Sequence, residues 1–234
     1  MPSRLTACTV LASSVLLAGC SGPLSTLDPA GPAAASATHI WWGMFTVASV
    51  VLLVLCSLWW YAMRRSPSEL SPTRQAQLER RWIVGGGLML PMACIGVLLL
   101  FGIPAGQRML PLPVDSREPL VIEVTGHMWW WQVEYPEQGI GLQNVLHIPV
   151  DHPVDIHLRS ADVIHAFWVP RLAGKLDAIP GRTNVLRLQA SQSGEFHGQC
   201  AEFCGAGHSH MHFRVIAHEA NSFGDWIKEQ GSDE

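Results

Sequence analysis

Hydrophobic and polar positions divide the chain into three regimes. A short apolar run, Leu5 to Leu17, is followed by two much longer ones, Ile40 to Met63 and Trp82 to Ile103. Each long run exceeds the ~20 residues a helix needs to cross ~30 Å of hydrocarbon. The pattern therefore predicts membrane-spanning helices over 40–63 and 82–103. Trp41, Trp42, Trp59, Trp60 and Trp82 fall at their ends, where amphipathic rings favour the headgroup layer. Pro91 inside the second run lacks the N–H that a helix interior needs and predicts a kink there.

From about Glu118 the pattern changes to short alternating segments separated by Pro and Gly, the signature of a mainly β domain over about 110–220. Val154, Ile156 and Leu158 alternate with Asp155, His157 and Arg159. Further strands are predicted at Leu120–Thr125, Trp129–Tyr135, Val145–Val150, Ile164–Val169, around Val185–Leu188, Glu195–Cys200 and His212–His218. This many short strands in so short a stretch favour a sandwich or barrel. A last helix is expected over Ser222–Gln230, capped by Asn221 with Phe223, Trp226 and Ile227 on one face, within a terminal segment 221–234.

Residues 1–19 read as a secretory signal, with Arg4 before the short apolar core, and the ending Leu17-Ala-Gly-Cys20 resembles the bacterial lipobox, whose cysteine is lipidated. Residues 20–39, rich in Ser, Gly, Pro and Ala, read as a flexible linker. The loop 64–81 carries Arg64, Arg65, Arg74, Arg80 and Arg81, whereas 20–39 carries no Lys or Arg. Positive charge stays on the cytoplasmic side. The expected topology is a multi-pass protein of a bacterial inner membrane, with the N-terminus and the β domain in the periplasm.

A net charge of −4 gives no electrostatic reason for a nucleic-acid partner. Of the six cysteines, only Cys200 and Cys204 lie in the polar half, and they are surrounded by other soft ligands. A thiolate, an imidazole and a thioether within one turn, here Cys204, His208 and Met211, select copper or zinc over hard divalent ions. His165 from a separate strand completes the blue-copper set of two His, one Cys and a Met. Cys200 is then left over, and two thiolates can bridge two ions with one His terminal to each. Zinc also accepts two Cys and two His, but zinc ribbons favour a two-residue Cys spacing and have no use for Met. A Cys200–Cys204 disulfide is a further possibility for a metal-free chain.

The pattern Cys200-x-Glu-x-Cys204-x3-His208-x2-Met211, preceded by Ser160-Ala-Asp-Val-Ile-His165, resembles subunit 2 of the haem-copper oxidases, in the cytochrome c oxidase branch. That resemblance implies a membrane-anchored chain with a two-helix transmembrane hairpin and a cupredoxin-like β domain. It implies two copper ions on His165, Cys200, Cys204, His208, Met211 and the backbone carbonyl of Glu202. The Glu202 side chain corresponds to a ligand of a magnesium ion shared with subunit 1. Gly126-His-Met-Trp-Trp-Trp131 is similar to the family's aromatic segment, which assigns Trp129 as the port for electrons from cytochrome c. Met128 and Trp130 depart from the family's usual Gln and Tyr, and Trp130 and Trp131 read as core or strand-face aromatics. Glu79-Arg-Arg-Trp82 aligns with a segment whose Glu lies at the cytoplasmic mouth of a proton path. Glu134 and Asp162 resemble positions facing the lysine rim of cytochrome c, a salt-sensitive steering role.

The partners implied are subunit 1, other oxidase subunits and cytochrome c, with oxygen reduced elsewhere in the complex, because neither apolar run contains a histidine. The quinol oxidase relatives in the same superfamily lack the copper ligands. A copper-delivery protein would need neither Trp129 nor two spanning helices, and a nitrous oxide reductase domain would not carry the helices.

Overall fold

The computed structural model describes residues 18–66, 70–107, 109–112 and 118–230, so most of the expected signal segment lies outside the described residues. The chain forms two compact units, His39–Gln107 and the remainder.

The second unit is a sandwich of two five-stranded sheets. Its strands are β1 (Leu120–His127), β2 (Trp130–Tyr135), β3 (Ile140–Gln143), β4 (Val145–Pro149), β5 (Val154–Ser160), β6 (His165–Trp168), β7 (Leu176–Ala178), β8 (Asn184–Leu188), β9 (Gly194–Cys200) and β10 (His212–His218). One sheet has the order β3-β2-β1-β5-β8 and the other β4-β10-β9-β6-β7. The pairs β1–β5 and β4–β10 are parallel, and the remaining pairs are antiparallel. This cupredoxin-like sandwich follows from period-2 patterning. Ile122 and Val124 on β1 and Trp131, Val133 and Tyr135 on β2 face Leu146, Ile148, Phe196, Phe213 and Val215 across the core. At its centre Trp131 meets Phe167 edge-on at 5.5 Å, and Phe167 stacks on Phe213 at 4.3 Å. Each fully buried side chain of this size contributes about 1.5–3 kcal/mol. β3 and β7 are strands that the sequence pattern does not announce.

The terminal helix α3, Ala220–Gln230, packs Trp226 and Ile227 on the core, with Phe223 buried beside Trp226 at 5.7 Å between ring centres. Its start differs from the expectation. β10 runs to His218, and the Glu219 carbonyl accepts the Phe223 N–H at 3.0 Å, so Asn221 lies inside the first turn and does not cap it.

The segment 20–39, read as a flexible linker, is packed in place. The N–H of Ala30 donates to the Arg171 carbonyl at 2.7 Å, and the Ala30 carbonyl accepts from Ser191 N–H at 2.8 Å. Arg171 also pairs with the Asp28 carboxylate at 3.0 Å. A Cβ on Gly31 would lie 2.3 Å from the Gln189 carbonyl oxygen, so only glycine allows this approach. Ala33 and Ala34 are buried. Helix α1 therefore begins at Pro32, a residue suited to a first helical turn, and runs to Arg64.

In the other unit, helix α2 runs from Pro72 to Gln107, so most of the expected 64–81 loop is helical. Trp82–Met89 is a π-helical stretch immediately before Pro91, with the Leu90 N–H bonded to the Gly85 carbonyl. A widened turn spares the ring of Pro91 its clash with the preceding carbonyl. Both helices are long and apolar enough to cross a membrane, and residues of both, from His39 to Val51 and from Ala93 to Phe101, line one apolar cleft.

Candidate metal centre

Two strand ends and one loop assemble the site. His165 opens β6 and is fully buried, Cys200 closes β9, and Cys204, His208 and Met211 occupy the loop between β9 and β10. That loop is held at its base by the Cys200 N–H donating to the Met211 carbonyl at 3.0 Å, and Ala201 N–H donates to Ala166 on β6 at 2.9 Å. Gly205, at φ +115°, supplies a backbone conformation that L side chains rarely adopt. A 3-10 turn over His208–His210 then points His208 inward, while the exposed His210 bonds Ser209.

The sulfurs of Cys200 and Cys204 are 3.8 Å apart and remain free thiols. Cys200 Sγ lies 3.9 Å from His165 Nδ1 and 3.2 Å from the Glu202 carbonyl oxygen. Cys204 Sγ lies 3.5 Å from His208 Nδ1 and 3.8 Å from Met211 Sδ. A first-row ion binds thiolate at ~2.3 Å, so two sulfurs nearer than about 4.6 Å can hold the same ion. Burial first, and Cys200 beside it second, push the Cys204 thiol up to about 12. With no Lys or Arg bonded to it among the described residues, the Cys204 thiol needs a metal cation to become a thiolate. The donor set fits soft ions, and every ligand expected from the sequence is brought together here.

Asp162 completes the support. Its Oδ1 lies 2.8 Å from His165 Nε2 and accepts the Val163 N–H at 2.6 Å, and its Oδ2 accepts the Met128 N–H at 2.6 Å. Burial works to raise this carboxyl, yet the bonds to His165, Val163 and Met128 hold it below the usual carboxylate value. A carboxylate on the far nitrogen fixes the imidazole tautomer and leaves Nδ1 free for a metal.

Trp129 stands at the β1–β2 turn, 40% exposed, and its Nε1 donates to the Cys204 carbonyl at 3.1 Å. A Cβ on Gly207 would fall 2.3 Å from its ring. The indole thus lies flat on the ligand loop. Trp131 is core, and Trp130 stacks on His127 at 4.3 Å. The Glu202 side chain faces Lys175 at 3.8 Å. Glu79 is exposed on α2 and accepts a hydrogen bond from Gln75, remote in sequence from every ligand.

One cluster escaped the sequence reading. His147 Nδ1 and His218 Nε2 are 2.7 Å apart, and Trp226 stacks on His147 at 4.2 Å. Parallel pairing of β4 with β10 joins residues far apart in sequence, and no local pattern marks it.

Comparison with known proteins gives three findings. The family profile "Cytochrome C oxidase subunit II, periplasmic domain" matches residues 138–218, which include all the ligand positions. Cytochrome c oxidase subunit 2 of Alkalihalophilus pseudofirmus is 33% identical over 92% of this chain and 65% of its own length. Ubiquinol oxidase subunit 2 of Acetobacter aceti is 31% identical over 93% of this chain and 72% of its own length. The chain thus spans just under two thirds of the first relative. The crystal structure of the periplasmic domain of subunit II of cytochrome oxidase of Bradyrhizobium japonicum aligns with 51% of this chain and 99% of its own, at 30% identity and a TM-score of 0.48.

Proposed function

The chain belongs to the subunit 2 family of the terminal oxidases, and from that premise we propose that it is the electron-accepting subunit of a cytochrome c oxidase. The observation that carries this reading is the pair of buried, unbridged thiols at 3.8 Å, each with its own imidazole. His165, Cys200, Cys204, His208, Met211 and the Glu202 carbonyl would hold two copper ions. Bound there, the copper pair supplies a one-electron relay whose charge change is shared between two ions and two sulfurs. Trp129 gathers electrons from reduced cytochrome c at the surface. Asp162 holds His165 in one tautomer, and the aromatic core keeps water from the sulfurs. The electron leaves for haem in subunit 1, where oxygen is reduced to water.

The Glu202 side chain is assigned to a magnesium ion at the boundary with subunit 1, where Lys175 would give up its ion pair. Glu79 is assigned to the cytoplasmic mouth of a proton path. The arginines between the helices support a reading in which that side is cytoplasmic and the sandwich lies in the periplasm of a bacterial inner membrane, with Cys20 as the lipidated residue.

The quinol branch is the second reading, because relatives from it match over most of the chain. The complete soft ligand set favours the cytochrome c branch. The test is donor use by the purified complex. Cys200→Ser with Cys204→Ser should abolish oxidation of reduced cytochrome c, and undiminished oxidation would refute the proposal.

A further inference from the structure

Along the inward face of β1, Ile122 and Val124 are followed by Gly126, so the sandwich is one side chain short at that end of the strand. Glycine weakens a strand interior and marks a place where another group comes close. Gly126 is not among the glycines with a positive φ, so its backbone would accept alanine. Space is what forbids a side chain. A Cβ there would lie 2.8 Å from Cδ2 and 3.1 Å from Cγ of His165, and 3.2 Å from Cζ3 of Trp131. The imidazole, arriving from β6 in the opposite sheet, fills the volume that residue 126 leaves empty.

Trp131 closes that volume from β2, where it is the cross-strand partner of Gly126. Its backbone is pinned: the N–H donates to Asn144 Oδ1 at 2.7 Å, and the carbonyl accepts the Asn144 N–H at 2.9 Å. Its ring meets His165 at 5.8 Å between centres and is braced by Phe167 at 5.5 Å and Phe213 at 5.7 Å. Its Nε1 is buried and has no hydrogen-bond partner among the described residues. A buried indole N–H usually finds a partner, and leaving one unpaired is unfavourable. Phenylalanine would carry no such N–H. Its single ring is also shorter than the indole, whose six-membered ring carries Cζ3 to Gly126 and His165.

We infer that Gly126 and Trp131 are positioning residues for His165, fixing where its Nδ1 meets copper and so how evenly one electron is shared between the two ions. The inference rests on the two-copper reading of the site. Asp162 holds Nε2, the glycine and the indole hold the ring, and Nδ1 is left beside Cys200 Sγ. With a Cβ at 126, the ring would have to retreat from 2.8 Å to an ordinary contact of ~3.5 Å, a shift of about 0.7 Å. Metal–ligand distances hold to within about 0.2 Å. A retreat of that size alters the bond to the metal.

The test uses the full-length chain in detergent, loaded with copper, and compares Gly126→Ala and Trp131→Phe with the unaltered chain. Electron paramagnetic resonance reads the sharing of the electron, competition with a copper chelator reads affinity, and thermal unfolding of the metal-free chain reads the fold. Gly126→Ala should make the hyperfine splittings of the two copper nuclei unequal and weaken copper binding about tenfold or more, in a chain that still unfolds cooperatively. Trp131→Phe should shift the same signals, and it decides the matter where Gly126→Ala fails to fold. A merely structural role would lower the melting temperature of the metal-free chain and leave the spectrum of the loaded one as it was. Unchanged splittings and affinity in the folded variants overturn this inference alone. If the unaltered chain shows no two-copper pattern, the reading of the centre falls, and the inference with it.

Discussion

Replacing Gly207 by alanine should lift Trp129 off the ligand loop while leaving the fold intact. The added Cβ would sit 2.3 Å from ring atom Cδ2 and 2.6 Å from Cγ and Cε3. Carbon atoms in contact stand ~3.5 Å apart or more, so the indole must retreat by about 1.2 Å. That shift stretches the 3.1 Å bond from Nε1 to the Cys204 carbonyl past useful length, a loss of about 0.5–1.5 kcal/mol. The backbone itself accepts alanine, since Gly207 has φ −89° and ψ 6°. Alanine also restricts the unfolded chain, a gain of about 0.4–1 kcal/mol. The two effects nearly cancel, so the melting temperature should hardly move. Electron uptake should not be spared, because displacement of about 1 Å at a positioned group costs on the order of tenfold or more. Flash reduction of cytochrome c mixed with the oxidase, followed at the copper absorbance, reads the rate directly. An unchanged rate with an unchanged copper spectrum would show that the ring's seat on the loop does not matter.

Asp162→Asn should loosen His165 and weaken copper binding about 10–100-fold, as loss of such a support does at other metal sites, and competition with a copper chelator measures it. Burial first, then the charges of His218 and Arg214, push His147 down to about 4, and burial lowers His218. An unfolded His147 binds a proton that the folded one refuses between about 6.5 and about 4, and His218 shifts in the same direction. Stability from this pair is therefore full above that window and is lost as the pH falls through it. Thermal unfolding across that range should show a shallower slope in His147→Gln, and parallel slopes would refute the assignment. Gly31→Ala would drive a Cβ to 2.3 Å and 2.7 Å from two carbonyl oxygens, costing about 1–3 kcal/mol. It should expose residues 20–31 to protease, and equal resistance to that of the unaltered chain would count against the packed segment.

What was readable in the sequence depended on how local its cause is. The ligand loop was legible because Cys200, Cys204, His208 and Met211 share one β9–β10 connection whose own hydrogen bonds fix it. The long helices were legible because hydropathy alone sets them. β7 is three residues long and exists because it pairs with β6, so no pattern of its own marks it. The order in residues 20–38 comes from carbonyls and N–H groups supplied by Arg171, Leu172 and Ser191, which composition cannot register. The support that Asp162 gives His165 was not legible because its partners, Met128 and His165, arrive from another turn and the next strand. The His147–His218 pair depends on parallel register across 71 residues.

The central claim is that one loop and His165 hold two coppers sharing one electron. Electron paramagnetic resonance of the full-length chain, loaded with copper in detergent, tests it most directly. Hyperfine splitting from two equivalent copper nuclei is the predicted result, lost together in Cys200→Ser and Cys204→Ser. A pattern from a single copper nucleus, or no stably bound copper, would contradict it.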